Sequence, residues 1–180
     1  RSQMMKRNPS QVLLVVDPQL DFEPGGALAV PRGDEIMPGI AERMKDYQTV
    51  VLTQDFHPPG HMSFASSHAG RRPFEKMGVA NAKDGEQMLW PDHCVRGSRG
   101  AEFDPRIPVD RATLILRKGE RPEADSYSAF VENDGRSTGL GAWMRDRAIE
   151  EVHLVGLAAD YCVSWSALDA KRMGFRVSID

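Results

Sequence analysis

The apolar residues of this chain fall into short continuous runs, separated by stretches in which they recur at helical spacing. The first run, Val12–Val16, contains no polar residue, which is typical of a strand buried on both faces of a sheet. Similar runs predict further strands at Val50–Thr53, Thr113–Leu116, Val152–Leu157 and Phe175–Ile179. The stretches between them predict helices over Asp34–Tyr47, Thr138–Ala148 and Asp160–Met173. This alternation predicts an α/β fold with three layers, α/β/α, around a central parallel sheet.

The ends of the three helices carry residues that commonly begin or end a helix. Asp34 is a candidate N-cap of the first helix, and Ser137 is a candidate N-cap of the second. Gly174 follows the third helix, where a glycine in the left-handed conformation often ends the last turn.

Length and composition indicate an ordinary globular domain. The chain has 180 residues, of which 41% are hydrophobic and 27% are charged, so we expect one domain over residues 11–180. Residues 1–10 are expected to be a disordered or tag-derived N-terminus. The formal net charge of −3 shows no basic excess, so no nucleic-acid partner is expected. We also expect no membrane partner, because no apolar run is long enough to span a bilayer.

The two cysteines, Cys94 and Cys162, lie far apart in the sequence. With no signal-peptide pattern ahead of them, we expect both to be reduced thiols in a cytoplasmic protein.

One segment interrupts the alternation of strands and helices. Between the second and third predicted strands, Gln54–Arg111 is rich in glycine, proline and polar residues. Long irregular segments of this kind are often functional. Four of the five histidines lie in it, at positions 57, 61, 68 and 93.

Residues with reactive side chains follow the predicted strands. The carboxyl ends of parallel strands meet at one edge of a sheet, where ligands bind, and the residues found there are Asp17, Asp55, His57, Lys118 and Cys162. Cys162 is the candidate nucleophile, because a helix N-terminus and a nearby lysine both favour the thiolate. Asp17 is the candidate for taking its proton. The alternative is that Cys162 is a small buried residue, as we expect for Cys94.

A second group has the composition of a metal site. Asp55 and His57 are two residues apart, and His93 could join them from Trp90-Pro91-Asp92-His93-Cys94. Two histidines and one carboxylate suit a zinc, iron or manganese ion and leave positions open. His61 is either a fourth ligand or a partner of a ligand. A non-catalytic metal-binding module is an alternative. His68 and His153 are expected to be structural.

Three aromatic residues, Phe22, Trp90 and Tyr127, are predicted in loops at the same edge of the sheet. They could stack on a flat ring, or they could cover the core.

Taken together, these motifs resemble the nicotinamidase branch of the isochorismatase-like cysteine hydrolases. The resemblance extends from Val12 to Asp180 and includes Asp17-Pro18-Gln19-Leu20-Asp21-Phe22, Thr53-Gln54-Asp55-Phe56-His57-Pro58, Trp90-Pro91-Asp92-His93-Cys94-Val95, Asp125-Ser126-Tyr127-Ser128-Ala129-Phe130 and Gly156-Leu157-Ala158-Ala159-Asp160-Tyr161-Cys162-Val163. It implies an isochorismatase-like, doubly wound domain. We expect this chain to lack the further helix and edge strand with which such enzymes continue.

The resemblance also implies an activity and a set of roles. The activity is the conversion of nicotinamide to nicotinate and ammonia in NAD salvage, extending to pyrazinamide. Asp17, Lys118 and Cys162 are implied to form the catalytic triad. The resemblance implies one divalent metal ion bound by Asp55, His57 and His93, with zinc preferred over iron or manganese. This ion would bind the nitrogen atom of the substrate's pyridine ring. Phe22, Trp90 and Tyr127 would surround the pyridine ring.

The backbone N–H groups of Ala158 and Cys162 are implied to hold the oxyanion, with a cis peptide bond between Leu157 and Ala158. We further expect a homo-oligomer. The nearest alternative function is hydrolysis of another small amide by an enzyme of the same superfamily.

Overall fold

A five-stranded parallel sheet forms the centre of the protein. The computed structural model describes residues 8–157 and 159–180. The strands in this part of the chain are β1 (Gln11–Val16), β2 (Thr49–Asp55), β3 (Lys76–Gly78), β4 (Glu86–Met88), β5 (Leu114–Lys118), β6 (Glu151–Gly156) and β7 (Arg176–Ile179). The central sheet has the order β5-β2-β1-β6-β7, and all its neighbouring strands are parallel. All five predicted strands are present, and the predicted parallel α/β sheet is confirmed.

The three helices are shorter than the sequence predicts. They are α1 (Met37–Met44), α2 (Leu140–Asp146) and α3 (Ser164–Arg172). Gly174 follows α3 with φ +92°, as predicted.

The predictions for the starts of the helices were wrong. Asp34 lies in a 3-10 turn over Gly33–Ile36 and does not cap α1. Helix α1 begins at Met37 and has Pro38 in its first turn, where proline is favoured. Ser137 accepts a hydrogen bond from the N–H of Gly139, which closes the turn before α2. Gly139, with φ +89°, is the N-cap of α2. A π-helical turn over Ala159–Val163 precedes α3.

The helices cover both faces of the sheet, because successive residues of a strand point to opposite sides. On one face, Leu13 and Val15 of β1 belong to the same buried cluster as Met37, Ile40 and Met44 of α1. On the other face, the alternate residues of β1 pack in a second cluster with residues of α2 and α3, among them Val12, Leu14, Val16, Leu140, Met144, Ala167 and Ala170. These layers leave the carboxyl ends of the strands uncovered by helices.

The long segment after β2 folds over that edge as 3-10 turns and the antiparallel hairpin β3–β4. Bridges between His57 and Val95 and between Phe64 and Trp90 fold it back on itself, which brings His93 beside His57. None of the helices in the described part of the chain has the length and apolar character needed to cross a bilayer.

Replacing Leu14 by Ala tests the role of the central strand. Leu14 is fully buried, so we expect the free energy of unfolding to fall by about 2–5 kcal/mol in urea titrations. The control is Ile115→Ala on the edge strand β5, where the side chain is 39% exposed and a loss below about 1 kcal/mol is expected. Equal losses in the two variants would contradict the central position of β1.

Candidate active site

The predicted reactive residues meet at the carboxyl edge of the sheet. Asp17 follows β1, while Asp55 ends β2 and Lys118 ends β5. Asp55 and Lys118 are paired in the register of these two strands, so their side chains start side by side. Cys162 reaches the same point from the π-helical turn that follows β6.

Lys118 is the centre of this group. Its Nζ lies 2.8 Å from Oδ2 of Asp17 and 3.3 Å from Sγ of Cys162. The ammonium also donates to the carbonyl oxygen of Ser126 at 3.1 Å, and Oδ1 of Asp55 lies 3.5 Å away. Burial alone would lower the pKa of Lys118, but the charges of Asp17 and Asp55 outweigh burial and raise it well above its ordinary value. The amine therefore stays protonated at neutral pH.

Thr53 fixes the orientation of Asp17. The N–H of Asp17 donates to Oγ1 of Thr53 at 3.0 Å, and that hydroxyl donates in turn to Oδ1 of Asp17 at 2.6 Å. Asp17 has φ +51°, a left-handed conformation that is uncommon outside glycine. The sequence analysis did not identify Thr53, because a threonine in a buried strand carries no signal of such a contact.

Cys162 lies ahead of the α-helix and is almost fully buried. Burial raises the pKa of its thiol well above the ordinary value, and the neighbouring Lys118 only partly opposes this. The contact with Lys118 lowers the thiol pKa in the expected direction, while burial acts more strongly against it. Lys118 also contacts Asp17, so it links the thiol to this carboxylate.

Asp55, His57 and His93 are brought together as a candidate metal site. One ligand atom from each lies within 4.8 Å of the other two, with Oδ2 of Asp55 3.1 Å from Nε2 of His57 and 3.3 Å from Nε2 of His93. The Nδ1 atoms lie 2.8 Å from the carbonyl oxygens of Gly119 and Pro91. These carbonyls fix the two rings and leave both Nε2 atoms available to an ion.

The buried carboxylate of Asp55 supports this assignment. Its Oδ2 faces Nε2 of both histidines, whereas Oδ1, which has no hydrogen-bond partner among the described residues, lies 3.5 Å from the Lys118 ammonium. His57 and Lys118 hold the pKa of Asp55 well below its usual range despite its burial. An ionised carboxylate beside two anchored imidazoles is a donor set that fits a divalent transition metal ion.

His61 lies beside His57, with the two ring centroids 4.2 Å apart. Its Nε2 lies 3.0 Å from the carbonyl oxygen of Ala124, and its Nδ1 accepts from the N–H of Ser63 at 3.2 Å. Burial and the nearby His57 lower its pKa, so the ring is neutral. His57, His61 and Asp125 also lie within 4.8 Å of one another through one ligand atom each, but both ring nitrogens of His61 are already hydrogen-bonded.

A cavity of about 350 Å³ opens above Cys162. The predicted aromatic residues Phe22, Trp90 and Tyr127 line it, together with Asp55 and His93. Tyr161, which the sequence analysis missed, also lines it and meets Trp90 edge-on with ring centroids 5.0 Å apart. The cavity therefore has aromatic walls beside a thiol and a candidate metal site, a form that suits one small planar ring.

The remaining predictions fall elsewhere. Ala158 lies outside the described residues, so its proposed N–H donor and the cis bond to Leu157 stay predictions. Cys94 is fully buried. His68 contacts the carbonyl oxygen of Met62, and His153 contacts Tyr47, both outside the lining of the cavity.

Comparison with known proteins places the chain in a family. Residues 11–180 match the isochorismatase domain. The nicotinamidase of Acinetobacter baylyi is 46% identical over 171 residues, which cover 94% of this chain and 78% of that protein. The structure of a nicotinamidase/pyrazinamidase from Acinetobacter baumannii superposes with a TM-score of 0.92 at 45% identity, covering 96% of this chain and 82% of the other.

Two further structures carry informative ligands. Yeast nicotinamidase bound to the inhibitor nicotinaldehyde is 31% identical, with a TM-score of 0.88 and coverage of 94% of this chain and 85% of the other. A pyrazinamidase of Pyrococcus horikoshii in complex with zinc is 35% identical, with a TM-score of 0.76 and coverage of 95% and 83%.

Alkylation with iodoacetamide tests the different settings of the two cysteines. Cys162 lines the cavity and contacts Lys118, whereas Cys94 is enclosed, so we expect Cys162 to react at least about tenfold faster in the folded protein. Peptide mapping by mass spectrometry measures both rates. Cys94→Ala should keep the fast reaction and Cys162→Ala should lose it. Equal rates at the two sites would contradict the assignment of Cys162 as the accessible thiol.

Proposed function

The chain belongs to the isochorismatase family, among its nicotinamidases, and we propose that it converts nicotinamide to nicotinate and ammonia through a thioester on Cys162. The observation that carries this proposal is the contact of one buried ammonium, that of Lys118, with both the Cys162 thiol and the Asp17 carboxylate. Cys162 lines the cavity with aromatic walls, while Lys118 and Asp17 are buried outside its lining.

The first half of the reaction uses Asp17 as a proton carrier. Asp17 takes the proton of the Cys162 thiol, and Sγ forms a bond to the carboxamide carbon. The carbon–nitrogen bond then breaks, and Asp17 gives the same proton to the departing nitrogen, which leaves as ammonia. The acyl group remains on Sγ as a thioester.

The second half reverses these roles with water. Asp17 takes a proton from water as the water oxygen attacks the thioester carbon, and it returns that proton to Sγ as the carbon–sulfur bond breaks. Nicotinic acid is released and the thiol is regenerated. The Thr53 hydroxyl holds the Asp17 carboxylate in place through both halves.

Lys118 makes this cycle possible at neutral pH. Because its amine stays charged, it opposes the effect of burial on the thiol and stabilises the thiolate as it forms. The oxyanion of each tetrahedral intermediate is proposed to accept hydrogen bonds from the backbone N–H groups of Cys162 and Ala158.

Asp55, His57 and His93 are proposed to hold one divalent transition metal ion. Zinc is the proposed occupant, in keeping with the zinc complex of the P. horikoshii relative, and iron or manganese would also suit these ligands. When bound, the ion supplies a Lewis acid for the lone pair of the pyridine nitrogen. Asp55 contacts Lys118 as well as His57 and His93. The pyridine ring would therefore bind next to the groups that break the amide bond.

Phe22, Trp90 and Tyr127 are proposed to enclose the pyridine ring. The nicotinaldehyde bound by yeast nicotinamidase has the same ring, and the pyrazinamidase activity named for the A. baumannii relative supports pyrazinamide as a second substrate. We place the reaction in cytoplasmic NAD salvage and propose that the enzyme works as a homo-oligomer.

Replacing Cys162 by Ala is expected to reduce ammonia release from nicotinamide by at least about a thousandfold, because the nucleophile is lost. The bound metal, measured by elemental analysis, should be unchanged, because Cys162 is not among its proposed ligands. Cys94→Ala is the matched control and should retain activity. Substantial turnover by Cys162→Ala would rule out the thioester.

Replacing His57 by Ala tests the metal site. We expect lower metal occupancy and a raised KM for nicotinamide, because the ring loses its anchor. His68→Ala is the control, since His68 lies outside the lining of the cavity, and it should leave both quantities unchanged. Full metal occupancy in His57→Ala would contradict the ligand assignment.

Benzamide separates ring anchoring from bond breaking, because it lacks the pyridine nitrogen. The wild-type enzyme should hydrolyse benzamide poorly, and a chelator should abolish the preference for nicotinamide. Equal kcat/KM values for benzamide and nicotinamide would contradict contact between the ring nitrogen and the metal.

A further inference from the structure

Gln87 is a buried polar residue for which the proposed reaction has no role. It is the middle residue of β4, in the small hairpin of the long segment, and it is 1% exposed while its neighbour Glu86 is exposed. Burying an amide on so small a hairpin costs free energy unless its hydrogen bonds are made. The contacts of this side chain therefore indicate what it does.

The amide nitrogen of Gln87 faces the wall of the cavity. Nε2, which carries two hydrogens, lies within hydrogen-bond distance of three acceptors: Oδ2 of Asp125 at 3.0 Å, the hydroxyl oxygen of Tyr127 at 3.1 Å and the carbonyl oxygen of Met88 at 2.7 Å. The amide oxygen is buried and has no hydrogen-bond partner in the described part of the chain. Turning the amide over would place that oxygen against a carboxylate and a carbonyl, so this orientation is fixed.

Both contacted residues line the cavity, and the residue between them supports the catalytic lysine. Asp125, Ser126 and Tyr127 are consecutive lining residues, and the carbonyl oxygen of Ser126 accepts from Lys118. The remaining oxygen of Asp125 accepts from the N–H of Ser126. Gln87, on the β3–β4 hairpin, thus donates a hydrogen bond to this wall of the cavity from a different segment of the chain.

Loss of the Gln87 amide would affect both side chains of the wall. Asp125 is a carboxylate only 3% exposed, and removing a donor from a buried charge is costly, so the carboxylate would turn toward another donor or toward water. The Tyr127 ring, which meets Trp90 nearly at a right angle, would lose a contact at its hydroxyl. Both changes alter the shape of the cavity without touching Cys162 or Asp17.

We propose that Gln87 is a positioning residue for the aromatic amide substrate, holding Asp125 and Tyr127 in the cavity wall so that the ring is bound tightly. This proposal rests on the proposed function. In this proposal the β3–β4 hairpin helps to bind the substrate, while the residues at the ends of the central strands break the amide bond.

The test compares Gln87→Met with wild type in the zinc-loaded enzyme. Met keeps the length of the side chain and removes the donor, so KM for nicotinamide is expected to rise about tenfold, as for the loss of one hydrogen bond to a charged group. kcat should change less than about threefold, and the rate at which iodoacetamide alkylates Cys162 should stay within about twofold. Glu86→Gln, on the same strand but exposed, is the control and should match wild type.

Tyr127→Phe tests the same contact from the other side and serves if Gln87→Met fails to fold. It removes one of the two wall acceptors, so KM is expected to rise about threefold. In the double variant, KM should rise less than the product of the two single effects, because both substitutions remove one interaction.

The outcomes separate the two proposals. An unchanged KM in folded Gln87→Met, or in Tyr127→Phe if the first does not fold, overturns the role of Gln87 while leaving nicotinamide hydrolysis intact. A fall in kcat and alkylation rate at constant KM overturns it as well, because the residue would then act on the catalytic group. A wild-type enzyme that releases no ammonia overturns the proposed function, and the assignment of Gln87 to substrate binding falls with it.

Discussion

The buried ion pair between Lys118 and Asp17 is the interaction on which the arrangement of the site depends. Both side chains are fully enclosed, with Nζ and Oδ2 2.8 Å apart. Transferring each charge out of water costs several kcal/mol, and only close, hydrogen-bonded contacts offset that cost. The Thr53 hydroxyl and the Ser126 carbonyl complete those contacts. Removing Lys118 would leave the buried Asp17 carboxylate without its cation, at a cost of about 3–5 kcal/mol, so stability and the proposed chemistry are tied together at this point.

Asp55 extends this pair into the candidate metal site. One of its oxygens faces Lys118 and the other faces His57 and His93. A cation held by the two histidines and Asp55 would share that carboxylate with the ammonium. The strand register sets this geometry, because Asp55 and Lys118 are partners at the ends of β2 and β5. The proposed catalytic group and the proposed ring-binding group are therefore fixed relative to each other by backbone hydrogen bonds of the sheet.

Much of this arrangement could be predicted from the sequence, because most of the residues in the site come directly at or after the ends of strands that the apolar runs predict. The continuous apolar run Val12–Val16 indicated a central strand, and the charged or reactive residues that follow such runs gave Asp17, Asp55 and Lys118. The helix starts were less predictable: a capping side chain such as Asp34 or Ser137 competes with nearby proline and glycine, and here Pro38 and Gly139 lie at the helix starts. The hairpin β3–β4 has only three residues in each strand, too few for a periodic pattern.

The residues that the sequence did not reveal share a physical property: they act through contacts between segments distant in the chain. Gln19 is an example, because its amide accepts from the N–H of Asp55 and donates to the carbonyl oxygen of the same residue, both at 2.8 Å. This side chain continues the pairing between the first two strands beyond the end of β1, and thereby links the turn after Asp17 to Asp55. Thr53 joins the same two strand ends through Asp17. Buried polar side chains thus hold these strand ends together. In the proposed reaction this would keep the reacting groups aligned before substrate arrives and lower the cost of reaching the transition state.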